Sequence, residues 1–203
     1  MAKLAALMID VDGVLVTGRP ADGLPWATRL RDDLGLDPSD LHRAFFAPSW
    51  DAIVTGRLPL RPALDAALAS IAPHLPAGRL IDYWFRNDAL LDAALLAALA
   101  RLRAVGLPVH LATNQEHERA RYLLEDLGLA AHVDGCHHSA AIGCAKPDPA
   151  FFRTVAGRVG LPPAALLLVD DSAGNVEAAR AAGWQALHWT AGSDLATAVA
   201  ACG

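Results

Sequence analysis

The sequence predicts an α/β protein: a doubly wound parallel sheet with a small helical cap inserted after its first strand. Three observations lead there. The chain opens on an apolar run, Leu4 to Ile9, that ends in Asp10 and Asp12. After residue 90, short apolar runs alternate with Ala/Leu-rich helical segments. Between these parts, residues 16–89 lose that rhythm and read as helices punctuated by Pro and Gly. Repeated βα units with short connections build a parallel sheet, because each helix returns the chain to the edge where the last strand began.

The first strand is apolar at successive positions, as expected of a strand buried on both faces. Its carboxyl end lies where open α/β sheets bind ligands. Leu90 to Val105 is a helix that Gly106 terminates, and Pro108 to Thr113 is the second strand. Asn114 is expected to cap the next helix, which puts Ala120, Leu123, Leu124 and Leu127 on one face and stops at Gly128. His132 to Ser139 reads as the third strand. Asp148 and Pro149 supply an N-cap and an N1 proline for a helix through Val159. Leu166 to Val169 is the fourth strand, Ser172 to Ala182 a helix ending at Gly183, and Gln185 to Thr190 the fifth strand.

Within the insertion, Asp37-Pro38-Ser39-Asp40 starts a helix whose apolar face carries Leu41, Phe45 and Phe46, and Arg61 to Ile71 is another helical run. Trp26, Trp50 and Trp84 are expected to pack in a small helical core rather than to stack on a ligand. The organisation expected is a core of residues 1–15 and 90–203 with a cap of residues 16–89, joined near Val16–Pro20 and Phe85–Ala89.

Bulk properties exclude several classes. The 203 residues are 54% hydrophobic and 19% charged, enough to build a core, and the formal net charge is −5. That acidic balance, with no cluster of Lys and Arg, argues against a nucleic-acid partner. Asp, Arg and Pro interrupt every apolar segment before it reaches membrane-spanning length, so no membrane partner is expected. Asp10 and Asp12 also end the first apolar run too soon for a signal peptide. Three cysteines, an odd number, fit a reducing cytoplasm better than a disulfide framework.

The strand ends carry the chemistry. Strand one ends in Asp10 and Asp12, strand two in Thr113 and Asn114, strand four in Asp170 and Asp171, and Lys146 lies between strands three and four. In a parallel sheet these ends share one edge, so the residues converge on one crevice. Carboxylates gathered there repel one another and call for a cation. Oxygen-only ligands favour a hard ion such as Mg²⁺. Thr113 and Lys146 then offer a hydroxyl and a positive charge to a phosphoryl group. Other chemistries lack their signatures. Cys136-His137-His138 with Cys144 has no tight zinc-type pair, no Gly-x-Ser-x-Gly elbow occurs, and no Gly-x-Gly-x-x-Gly follows the first strand.

Asp-x-Asp-Gly-Val at residues 10–14, the apolar strand ending in Thr113, Lys146-Pro147 and Leu-Val-Asp170-Asp171-Ser-Ala-Gly-Asn175 resemble the signature motifs of the haloacid dehalogenase-like (HAD) superfamily. Any one of these is a weak match; all four occur in the family's order and spacing, over residues 4–15 and 90–190. The resemblance implies a Rossmann-like core and a Mg²⁺-dependent phosphatase of small phosphorylated metabolites, sugar phosphates among them. Asp10 would be the nucleophile, already ionised at neutral pH without special tuning, and Asp12 the general acid and then base. Thr113 and Lys146 would bind phosphate oxygens, helped by the Asn114 backbone N–H. The metal would sit on Asp10, the Asp12 backbone carbonyl and Asp171, with Asp170 engaged directly, through water, or in support. Relatives often have an acid at the position of Asn175, where a hydrogen-bonding role is expected instead. A phosphomutase would keep every motif, a dehalogenase has no use for Asp12, and a non-catalytic binding protein would retain only the fold.

Overall fold

A computed structural model describes residues 3–202. Five strands form one all-parallel sheet in the order β3-β2-β1-β4-β5: β1 (Ala6–Ile9), β2 (Val109–Thr113), β3 (Gly135–His138), β4 (Leu166–Asp170) and β5 (Gln185–His188). Strand β1 is central, pairing β2 on one side and β4 on the other, and all four of its residues are buried. Its uninterrupted apolar sequence follows from that position. Successive residues face opposite layers, as strand geometry requires. Leu7 and Ile9 join one cluster with Leu95, Leu99, Leu123 and Leu195, while Ala6 and Met8 join another with Phe151, Phe152, Val155 and Trp184.

The helices follow from caps and glycines. The short α1 (Leu30–Leu34) ends at Gly35 in the left-handed conformation. Asp37 caps α2 (Pro38–Leu41), accepting from the Ser39 N–H, and a π-helical turn, His42–Phe46, carries the chain on into α3 (Ala47–Val54). Next come α4 (Leu60–Ile71) and α5 (Ala77–Asn87), the latter a helix that had no distinct expectation of its own. Asp92 caps α6 (Ala93–Ala104), which therefore begins after Leu90 rather than at it. Then follow α7 (His117–Arg121), α8 (Ser139–Ile142), α9 (Pro149–Val159, capped by Asp148), α10 (Ala173–Ala181) and α11 (Leu195–Ala201).

The third strand is shorter than the run His132–Ser139. Leu129–Ala131 forms a 3-10 turn, and the Asp134 carboxylate binds the Val109 N–H at 2.9 Å and the Arg103 guanidinium, so pairing starts only at Gly135. Ser139 already belongs to α8. The fifth strand stops at His188, because a turn closed by the Thr190 N–H on Ser193 Oγ follows it.

Helices α1 to α5 pack around their own apolar cluster, which includes Leu30, Leu41, Phe45, Leu64, Leu80 and Phe85. Trp26 stacks on Trp84 with ring centroids 5.3 Å apart, and Phe46 and Trp50 close on the same indole, so the tryptophans pack together as expected. The chain enters and leaves this helical segment side by side. Thr17 N–H donates to Leu90 O at 2.9 Å, and Gly18 O accepts from Ala89 and Leu90. On its far side the segment rests on the sheet edge. Ser139 Oγ donates to Val54 O at 2.5 Å and Arg61 pairs with Glu118 at 2.9 Å.

Candidate active site

Chain order runs from β1 outward to β2 and β3, then crosses to β4 on the other side, so the crevice opens at the carboxyl end of β1. Asp10 leaves that strand end 8% exposed. One of its oxygens accepts the Val11 N–H at 2.8 Å and the other lies 3.1 Å from Lys146 Nζ. Burial pushes the Asp10 carboxyl up to about 6, assisted by Asp170 and Asp12 and opposed by Lys146 and a Thr113 hydrogen bond. The Asp10 carboxyl is therefore tuned by its surroundings, where no tuning was expected: the strand end strips it of water, and Lys146 restores part of its ionisation.

Asp170 is fully buried at the end of β4. Lys146 Nζ donates to it at 2.5 Å, the Ser172 N–H at 2.9 Å, and Asn175 Nδ2 reaches both oxygens at 3.0 and 3.2 Å. Asn175 stands in the first turn of α10, and an acid there would face Asp170 as a like charge. Asp171 is exposed, and its carboxylate lies over Gly13. A Cβ at Gly13 would sit 2.2 Å from Asp171 Oδ2, and its φ of +76° also favours glycine, which explains the Gly of the Asp-x-Asp-Gly turn. Carboxylate oxygens of Asp10, Asp170 and Asp171 come within 4.8 Å of one another. Three carboxylates against one lysine, all oxygen donors, fit a hard divalent cation.

Lys146 is 4% exposed, and its place is set by Asn114. Asn114 Oδ1 accepts the Lys146 N–H and its Nδ2 donates to the Lys146 carbonyl, both at 2.8 Å, beside a cis Lys146–Pro147 peptide. Asn114 therefore does not cap the following helix. Glu116 does, accepting from the Glu118 and Arg119 N–H groups. The chain needs two more residues to turn from β2 into α7, and in that turn the Asn114 amide is free to bridge to the neighbouring loop. Thr113 is 1% exposed at the end of β2.

Asp12 lies beside the acidic cluster and takes its partners from the turn after β2 and from α7. Its Oδ2 accepts from Gln115 Nε2 at 2.7 Å, and its Oδ1 lies 4.0 Å from the Arg119 guanidinium. Arg119 also lies 3.4 Å from Asp88, which burial and Asp12 push up to about 6 while Arg119 pulls it down. Gln115, Arg119 and Asp88 had not been singled out. Gln115 follows the Thr113-Asn114 pair directly and was within reach of a strand-end argument; a buried arginine inside a short helix leaves no pattern.

Carboxylates, a lysine and a hydroxyl gather at the carboxyl edge of a parallel sheet, the place where α/β enzymes bind their ligands. The chain belongs to the haloacid dehalogenase-like hydrolase family, whose profile matches residues 4–183. It is 30% identical over 196 residues to a phosphatase of Mycobacterium tuberculosis, spanning 91% of this chain and 86% of that one. It is 32% identical over 195 residues to a phosphoglycolate phosphatase of Rhodospirillum rubrum, spanning 88% of this chain and 76% of that protein. A HAD family enzyme of Bacteroides thetaiotaomicron shares the fold at 17% identity, with a TM-score of 0.81 over 97% of this chain and 98% of that one. A second structure of that enzyme, with magnesium and inorganic phosphate, has a TM-score of 0.74 over 96% of this chain and 98% of that one, at 17% identity.

Proposed function

We propose that this enzyme is a Mg²⁺-dependent hydrolase of small phosphomonoesters, of the sugar-phosphate and phosphoglycolate kind, working through an aspartyl-phosphate on Asp10. The observation that carries the reading is the Asp10 carboxylate, pinned by the Val11 N–H and Lys146 in an acidic cluster, with Asp12 held on the next turn by Gln115.

Lys146, 3.1 Å away, favours the ionised form of Asp10 that attack requires, against the burial that raises its pKa. It attacks phosphorus as the bond to the ester oxygen breaks, and Asp12 gives the departing alkoxide a proton. Asp12 then takes a proton from the water that attacks the aspartyl-phosphate, which releases inorganic phosphate and restores Asp10. Thr113 and Lys146 bind the non-bridging oxygens, with the Asn114 N–H beside them. Asp10, the Asp12 carbonyl and Asp171 would hold the metal, and Asp170, already bonded to Lys146 and Asn175, keeps those ligands in place. Bound Mg²⁺ supplies positive charge that offsets repulsion between the carboxylate and the phosphate. Residues 16–89 act as a cap that closes on the crevice. A cytoplasmic place of work belongs to the proposal and rests on the odd count of three cysteines; no described helix is long and apolar enough to cross a membrane.

The test is a panel of phosphorylated metabolites assayed with and without Mg²⁺, run beside a haloacid and a sugar monophosphate offered as phosphoryl acceptor. Phosphate release that chelation abolishes and Asp10→Asn eliminates is expected, with Asp171→Ala raising the Mg²⁺ requirement more than Asp170→Ala. Full turnover by a folded Asp10→Asn protein would falsify the mechanism; halide release or phosphoryl transfer to a sugar would instead assign one of the rival chemistries.

A further inference from the structure

Arg119 is 1% exposed, and a buried guanidinium is costly unless its surroundings compensate it. The compensation comes largely from the end of α5. The guanidinium lies over the Phe85 ring at 5.2 Å and the Tyr122 ring at 5.5 Å, and it donates to the carbonyls of Phe85, at 3.2 Å, and of Asp88. Carbonyls in the last turn of a helix lack intrahelical partners, so Arg119 finishes α5 from a distant part of the chain. The same group faces two carboxylates, Asp88 at 3.4 Å and Asp12 at 4.0 Å.

We propose that Arg119 is a positioning residue that ties the Asp12 carboxylate to the seating of the helical segment. At 4.0 Å the guanidinium guides Asp12 by charge without bonding to it, and Gln115 Nε2 makes the direct bond at 2.7 Å. Phe85 and Asp88 hold the fork back. If α5 lifts away, those contacts are lost and the arginine is free to close on Asp12 as a bidentate pair. Such a pair turns the carboxylate from the crevice and keeps its oxygens occupied. Asp12 is thus free to serve a leaving group only while α5 is in place. The connection that leaves the segment, residues 88–91, carries this coupling, because Asp88 touches Arg119 and Ala89 and Leu90 bond to Gly18 beside the entering chain.

The proposal rests on Asp12 serving as the leaving-group acid, as described above. Its test compares Arg119→Met and Arg119→Lys with the unaltered enzyme on p-nitrophenyl phosphate and on an alkyl phosphate, whose poor leaving group needs the proton. Arg119→Met is expected to slow the alkyl ester at least about tenfold more than the nitrophenyl ester, with Arg119→Lys between. Amide exchange at residues 86–91 should rise in Arg119→Met. Equal losses on both esters, the mark of a merely structural role, or unchanged exchange at 86–91 overturns the proposal. Should Arg119→Met fail to fold, Phe85→Leu must move the ratio of the two rates in the same direction, and an unmoved ratio overturns it. If the unaltered enzyme hydrolyses no ester of the metabolite panel, the functional reading has failed and the proposal, which rests on it, falls with it; an unmoved ratio in an active enzyme overturns the proposal alone.

Discussion

With its ammonium 2.5 Å from Asp170 and 3.1 Å from Asp10, Lys146 keeps two buried carboxylates from facing each other unopposed. Removing one partner of a buried ion pair costs about 3–5 kcal/mol, because the other charge stays behind without compensation. Lys146→Met is therefore expected to lower unfolding free energy by about that much at pH 7 in urea titrations. The deficit should shrink by pH 5. Asp10, pushed up to about 6 by burial, then carries a proton in the folded state and no longer repels Asp170. A deficit of the same size at both pH values would show that lost packing, not charge, is what the substitution removes. Asn114 belongs to the same account, since its amide fixes the backbone that carries the ammonium.

Strand β3 ends in two further titrating groups, His137 and His138. His137 and His138 are both pushed down to about 4, first by burial and then by neighbouring cations, Arg158 among them. His137 stacks on His110 at 5.3 Å, and His138 shares a hydrogen bond with His117 at 3.3 Å. A histidine whose folded pKa lies below its unfolded value of about 6.5 binds fewer protons when folded, so stability falls as pH drops from about 6.5 toward 4. Asp10 and Asp88, raised to about 6, contribute with the opposite sign in part of that window. The expected result is a difference: from pH 6.5 to 5, the melting temperature of a His137→Gln, His138→Gln double variant should fall less than that of the unaltered protein. Parallel curves would mean that these imidazoles are not held neutral by the fold.

Across the whole molecule, the helical segment and the sheet edge enclose a groove of about 410 Å³. Asp51, Thr55 and Arg57 line one wall, and Gly143, Cys144 and Ala145, which lead into Lys146, line the other. Arg57 is itself braced by Thr55 Oγ1 at 3.0 Å. None of these lining residues belongs to the acidic cluster; on the proposed division of labour the segment chooses the ester through exposed groups such as Arg57, while the strand ends perform the reaction. Arg57→Ala is therefore expected to change the ranking of phosphate esters by kcat/KM, whereas Thr113→Ala lowers all of them together. An unchanged ranking in Arg57→Ala would place substrate choice elsewhere.

The alternation of apolar runs with capped helices is enough to read a parallel sheet, because burial of both strand faces and the needs of helix ends leave local marks: Asp37, Asp148, and Gly106, Gly128 and Gly183 in the left-handed conformation. The same logic places Asp10, Thr113, Asp170 and Asp171 on one edge, since residues at strand ends share it whatever their distance in sequence, and Lys146 joins them from the loop after α8. Strand β3 was blurred, because an edge strand with polar residues carries little periodicity and its limits are set by the Asp134 bonds to Val109 and Arg103. Asn114 was assigned to the wrong partner for a related reason. A side chain at a helix start can satisfy its own helix or a loop thirty-two positions away, and only packing decides which. The raised pKa of Asp10 and the placement of Arg119 between Asp12, Asp88 and two aromatic rings belong wholly to the tertiary structure. Burial and the distance between charges are properties of the assembled chain, and no local sequence pattern encodes them.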